Sequence, residues 1–179
     1  GASNIFYFDS DCALEKRKDM LKEYTVQCRK NGIHSFIYVN VHWAAENVVK
    51  RYPEWVERLP DGSIITASYG VGAYHCVNSP FKDWTVRVLQ DLAKYDIDGI
   101  FLDGPIFNEK GCFCDSCRTK YEGRYGYSLD ESVLTDRKKL VDYIEFKKTC
   151  IAEFVRDCYQ ALKGCNERLI LYMNSVGLN

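Results

Sequence analysis

Three of the nine cysteines in this 179-residue sequence crowd into one short run, Cys112-Phe113-Cys114-Asp115-Ser116-Cys117. Thiols this close suit a metal better than bridges to distant partners, since zinc takes four soft ligands in a tetrahedron. One loop supplies three of them. The fourth is expected from His75-Cys76-Val77-Asn78-Ser79-Pro80, with Cys76 the candidate and His75 its competitor. In a chain of alternating strands and helices, both loops follow successive strands and share one end. A four-cysteine site is closed to substrate, so the expected Zn2+ is structural and pins two long loops. Three unligated thiols, or one strained disulfide, is the other reading. The odd total excludes a fully paired disulfide framework. Cys12, Cys28, Cys150, Cys158 and Cys165 are expected to be buried, unpaired thiols in a reducing compartment, which makes the cytoplasm the expected location.

The second chemical feature is acidic. Asp103 follows Ile100-Phe101-Leu102, at the C-terminal end of a strand-like run, and Gly104 lets the chain turn at once and leaves room for a ligand. Hydrolysis of a glycosidic bond needs two carboxyl groups, about 5 Å apart for retention and roughly 6.5–9.5 Å apart for inversion. Asp103 is the candidate nucleophile. Glu109 is the candidate general acid, provided its loop returns over the strand end. A carboxylate that caps a loop or pairs with an arginine is the alternative for Asp103, and an ordinary surface side chain for Glu109. Asp98 is expected in the turn leading into the strand. Asn40, His42, Trp43, Asn78 and Asn174 are candidate sugar contacts, the polar groups for hydroxyls and the indole for stacking on a ring. Tyr52 and Trp55 read as packing residues.

The elements that must position these residues alternate. Ile5 to Phe8 reads as a short strand and Glu15 to Asn31 as a helix stopped by Asn31-Gly32. Ser35 to Val41 is apolar nearly throughout, as a strand buried on both faces should be. A short helix and irregular chain fill 44–60, and Asp61-Gly62 is a turn. Ser79-Pro80 opens a helix carrying Trp84, Val88 and Leu92 four apart. Ile97 to Leu102 is a third strand, Tyr121 to Gly126 ends a short helix, and Lys139 to Lys163 is a long one. Its stripe is Tyr143, Ile144, Ile151, Phe154, Val155, Cys158 and Leu162. Leu169 to Met173 is the fourth strand. Such alternation implies a parallel sheet with right-handed crossovers. The expected fold class is α/β: a partial (β/α)8 TIM barrel of about four parallel strands, with long loops at the C-terminal face. Each strand ends in polar or acidic residues, as on a barrel's C-terminal face. An open four-stranded α/β sheet is the alternative, though no Gly-rich phosphate loop follows any strand.

Residues 1–3 read as a tag scar, and 4–179 as one fragment of a barrel, with a second copy completing it as the candidate homodimer. The 24 basic and 25 acidic residues leave a net charge of -1, so no basic excess favours nucleic acid. No apolar run approaches the roughly 18–20 residues of a membrane span.

The string Tyr95-Asp96-Ile97-Asp98-Gly99-Ile100-Phe101-Leu102-Asp103-Gly104-Pro105, the C-x-C-x2-C loop, Tyr121 and Arg124-Tyr125-Gly126 resemble the family called hypothetical glycosyl hydrolase 6. They are also similar to family 42 β-galactosidases. In those, the resemblance implies, a C-x-C-x2-C loop and an upstream cysteine in a C-x-N-S-P context hold zinc. Cys76-Val77-Asn78-Ser79-Pro80 matches that context, and Pro53-Glu54-Trp55 followed by Asp61-Gly62 matches a further stretch. The resemblance covers about residues 5–126. Two departures stand out. Family 42 enzymes carry Asn-Glu at the end of the fourth strand, whereas this sequence has Asp103-Gly104 there and Asn108-Glu109 later. Asp at that place resembles the nucleophile of α-L-fucosidases, which leaves the anomeric specificity open. The second catalytic carboxylate of such barrels usually lies on a later strand, so these 179 residues alone are expected to be inactive. A carbohydrate hydrolase region is the leading function. A non-catalytic sugar-binding barrel and a zinc/thiol switch are the alternatives.

Overall fold

The structure is a computed structural model that describes residues 3–68 and 70–174. The described chain is α/β and divides into two compact units. The first comprises 1–42, 83–105 and 155–179; the second, 43–82 and 106–154.

The first unit is built on a three-stranded parallel sheet. Its strands are β3 (Phe36–Asn40), β6 (Gly99–Asp103) and β7 (Ile170–Met173), ordered β3-β6-β7. The register places Tyr38, Phe101 and Tyr172 side by side, and sets Asn40 opposite Asp103. Because side chains alternate across a strand, one face carries Val39, Ile100 and Leu102, all buried. The other carries Phe36, Tyr38, Ile170 and Tyr172, all exposed. The expectation of a strand buried on both faces therefore fails for β3: its aromatic residues sit at the even positions and share the open face. Phe101 and Tyr172 stack there, 4.8 Å apart and nearly parallel, and Tyr38 meets Phe101 edge-on.

Two short segments form a separate two-stranded sheet. β1 (Ile5–Phe6) pairs in parallel with β2 (Glu15–Lys16). Helix α1 runs Leu21–Lys30, not from Glu15 as its composition suggests. The stretch 14–20 is not helical because its N–H groups bond back to the first strand segment: Leu14 to Asn4, Arg17 to Phe6 and Met20 to Tyr7. Asp19 Oδ1 then accepts from Leu21 and Lys22 N–H and opens the helix. Asp98 stands just ahead of β6, accepting from Ser35 N–H and pairing with Arg29 and His34, as expected for a turn residue.

Helix α3 (Phe81–Leu92) begins where Ser79 Oγ accepts from Phe81 N–H, and buries Trp84, Val88 and Leu92 as read from their spacing. The second unit holds the hairpin-like pair β4 (Trp43–Ala44) and β5 (Ala73–Tyr74), α2 (Glu46–Arg51), and a 3-10 turn at Pro53–Trp55. Tyr52 stacks on Trp55 at 3.9 Å. Helix α4 (Asp115–Tyr125) closes on Gly126 at φ 75°, the left-handed cap that glycine adopts at little cost. A further 3-10 turn spans Glu131–Leu134.

Helix α5 (Arg137–Cys165) starts where Asp136 accepts from Lys138 and Lys139 N–H. Its buried stripe is Tyr143, Phe146, Cys150, Phe154, Cys158 and Leu162, a 3–4 residue period. Ile144, expected on that stripe, is exposed, since it falls about 100° round from Tyr143. No disulfide joins any of the nine cysteines; Cys28, Cys150 and Cys158 are buried, whereas Cys165, expected inside, is exposed. No helix among the described residues is long and apolar enough to cross a membrane.

Candidate functional site

Each unit carries one cluster of chemical groups. In the first unit it stands at the C-terminal end of the sheet. Asp103 ends the central strand, and its carboxylate is held from both sides. The Tyr38 hydroxyl donates to Oδ2 at 2.5 Å, and the Asn174 amide donates to Oδ1 at 2.6 Å. The Asn174 Oδ1 in turn accepts from Gly104 N–H at 2.8 Å, which fixes which end of the amide faces Asp103. His42 Nδ1 donates to the Asp103 carbonyl at 3.0 Å. Since a carbonyl can only accept, that bond places a proton on Nδ1. Asn40 Oδ1 accepts from His42 N–H at 3.1 Å.

Gly104 earns its place by room for a neighbour. Its φ is +70°, and a Cβ there would lie 2.9 Å from Cβ and Cγ of His42. The space that the sequence suggested for a ligand is thus taken by the imidazole. Asn40, His42, Asp103 and Asn174 come together in this way. Tyr38 joins them although sequence reasoning passed over it; its signal was the spacing of two from Asn40, which puts both on one strand face.

The second cluster belongs to the second unit. The sulfurs of Cys76, Cys112, Cys114 and Cys117 lie within 4.8 Å of one another, and all four residues are buried. Cys76 Sγ is 3.4 Å from Cys117 Sγ and 3.5 Å from Cys114 Sγ. A tetrahedron with metal–sulfur bonds of about 2.3 Å has edges of about 3.8 Å, so the four sulfurs suit a metal ion of zinc's size. Burial pushes the Cys76 and Cys117 thiols well above their ordinary range, while hydrogen bonds from Cys112, Cys117 and Cys76 pull Cys114 well below it. A divalent cation at their centre would favour the thiolate form of all four. His75, the competing ligand, is outside the group and stacks flat on Phe81 at 3.7 Å.

The cysteine loop is fastened at several points. The Arg118 guanidinium donates to the carbonyls of Phe113, Leu129 and Pro60. Glu57 is fully buried, and both its carboxyl oxygens accept from Asn108 N–H, at 3.1 and 3.3 Å. Desolvation pushes the Glu57 carboxyl up to about 8, against the downward pull of that N–H and of Lys147. Burial lowers the Lys147 ammonium, whose Nζ donates to the Glu109 carbonyl at 3.2 Å. Nothing in the sequence marks Glu57: a lone Glu among apolar and basic residues reads as surface. The Glu109 side chain is exposed. Trp43 is half-buried and packs on Ile65, Ala67 and Tyr74. The Asn78 amide donates to Cys117 Sγ at 3.3 Å, and its Oδ1 accepts from Lys120 at 2.8 Å.

The sequence model of the family described as Hypothetical glycosyl hydrolase 6 matches residues 3–104, more than half of the chain. The chain belongs to that family. This Hypothetical glycosyl hydrolase 6 match ends one residue past Asp103 and contains Tyr38, Asn40 and His42. The fold is shared with solved glycoside hydrolases. The PgaB (BpsB) glycoside hydrolase domain from Bordetella bronchiseptica superposes with a TM-score of 0.70 and 16% identity, over 96% of this chain and 50% of that one. A β-galactosidase from the haloarchaeon Halorubrum lacusprofundi gives 0.69 and 18%, over 93% of this chain and 30% of that one. A GH42 β-galactosidase from G. stearothermophilus gives 0.66 and 11%, over 88% and 28%. The chain thus spans half the length of the first and less than a third of the others. No curated protein sequence matches it.

Proposed function

We propose that the chain is part of a glycoside hydrolase acting on a carbohydrate, with Asp103 as its nucleophile. One observation carries this reading: Asp103 ends the central strand of a parallel sheet, with both carboxylate oxygens held by Tyr38 and Asn174. A nucleophilic carboxylate must be oriented toward the carbon it attacks, and two donors fix its orientation. Attack by Asp103 on the anomeric carbon breaks the glycosidic C–O bond, and the leaving oxygen takes a proton from an acid. Water then cleaves the glycosyl ester. Glu109 is the proposed acid. Asn40 and His42, beside Asp103, are the proposed hydroxyl contacts.

The sheet is proposed to be part of a (β/α)8 barrel. The exposed rows Phe36/Ile170 and Tyr38/Phe101/Tyr172 would be layers of its interior, with Asn40, Asp103 and Asn174 at the mouth. The cysteine centre is proposed to hold Zn2+ through Cys76, Cys112, Cys114 and Cys117. With four protein ligands and no open position, it would brace the loops and take no part in bond cleavage. Incubating the complete protein with 2-deoxy-2-fluoro glycosides tests the nucleophile. The expected outcome is a glycosyl adduct on the peptide containing Asp103; an adduct on another carboxylate, or none with a substrate that is turned over, contradicts it.

A further inference from the structure

We propose that Asn78, with Lys120 behind it, is a positioning residue of the cysteine centre that sets how tightly Cys117 holds its metal. The inference rests on the zinc reading above. Four thiolates around a divalent cation leave two negative charges in excess, and here they are buried. Such charge needs N–H donors or cations close by. Among the described residues, the Cys114 N–H faces Cys112 Sγ at 3.4 Å, and the Asn78 Nδ2 faces Cys117 Sγ at 3.3 Å.

The Asn78 amide is itself set. Lys120 Nζ donates to its Oδ1 at 2.8 Å, and an ammonium can only donate, so the oxygen must face the lysine and the nitrogen the sulfur. The cation on the amide oxygen also draws electrons from the nitrogen and strengthens the N–H as a donor. Lys120 is held in turn: Glu153 Oε2 accepts from it at 2.6 Å, and Glu153 Oε1 accepts from Arg124 at 2.8 Å. Lys120 and Arg124 stand one turn apart on α4, and Glu153 reaches them from α5. A chain of four side chains therefore runs from a partly exposed ion pair to the buried sulfur of Cys117. Asn78 also reaches the buried Cys150 thiol.

The test uses the whole 179-residue chain, loaded with Co2+ alone and, separately, with Zn2+ in competition with a chromophoric chelator. Asn78→Ala and Lys120→Met are each expected to weaken metal binding roughly 10- to 100-fold, the usual effect of losing an outer-shell partner. Both should shift the thiolate-to-cobalt charge-transfer band, which a merely structural role would leave in place. Lys120→Arg should restore most of the affinity. If Asn78→Ala fails to fold, Lys120→Met decides, since Lys120 is partly exposed. A wild-type chain that binds neither metal overturns the zinc reading and this inference with it. A wild-type chain that binds one ion, with both variants equal to it in affinity and spectrum, overturns the inference alone.

Discussion

Tyr38 and Asp103 sit on adjacent strands, two residues out of direct register, and the tyrosine hydroxyl spans that offset to reach Oδ2 of the aspartate. The contact joins two features. The Tyr38 ring belongs to the exposed aromatic row of the sheet, and its oxygen belongs to the polar row at the strand ends. One residue thus connects the surface proposed as a barrel interior to the proposed nucleophile.

Tyr38→Phe keeps the ring and deletes the donor. A hydrogen bond to a charged group is worth about 1.5–3 kcal/mol, so turnover by the complete protein should fall by roughly 10- to 100-fold. The ring is half exposed, and thermal stability should change little. Steady-state kinetics beside a melting curve checks both; unchanged kcat would remove Tyr38 from the account.

Gly104→Ala should disturb the site through His42. The alanine must hold a left-handed backbone and also push the imidazole, whose atoms lie 2.9 Å from the new Cβ. We expect a stability loss of about 1–3 kcal/mol in urea, with reduced turnover. Gly104→Asn, better suited to positive φ yet larger, should relieve the backbone strain and not the crowding.

Metal removal is expected to act on the second unit. Cys114→Ser, or a strong chelator, should abolish stoichiometric zinc and lower the thermal midpoint by more than about 5 °C, because the four sulfurs join the segment at 76 to the loop at 112–117 and would be left as a buried, unligated cluster. Elemental analysis with calorimetry reads both. One zinc per chain that survives Cys114→Ser would contradict the four-sulfur assignment.

Glu57 gives a pH signature of definite sign. Its carboxyl is raised from 4.5 to about 8 in the folded chain, so between those values the unfolded chain is ionised and the folded one holds the proton. The folded state binds more protons there, and stability falls as pH rises, by about 1.4 kcal/mol per unit from this group. The contribution is complete below about pH 4.5 and lost by about pH 8. Glu57→Gln mimics the protonated form, so urea unfolding of the variant should lack this component. Equal pH slopes for both chains would show that Glu57 is not a buried, protonated group.

Much of this was legible from the residues. A C-x-N-S-P segment and a C-x-C-x2-C loop named the four cysteines that the structure brings together, because a metal site dictates both residue type and tight spacing. Gly126 stopped α4 and Ser79-Pro80 opened α3, because cap signals are local. What failed was set by distant partners. The stretch 15–20 has helical composition but gives its N–H groups to the first strand segment. The β3 segment looked buried on both faces because aromatic residues read as core, whereas Phe36 and Tyr38 share the open face. Glu57 was invisible, since only the fold reveals that no solvent reaches it.

The central claim, that Asp103 performs glycosidic bond cleavage, is tested most directly by comparing aryl glycoside turnover in the complete protein and its Asp103→Asn variant. The account predicts a loss of about 10⁴-fold in kcat, the scale expected on removing a nucleophile, with an unchanged fold. Turnover by the variant within a few-fold of wild type would contradict it.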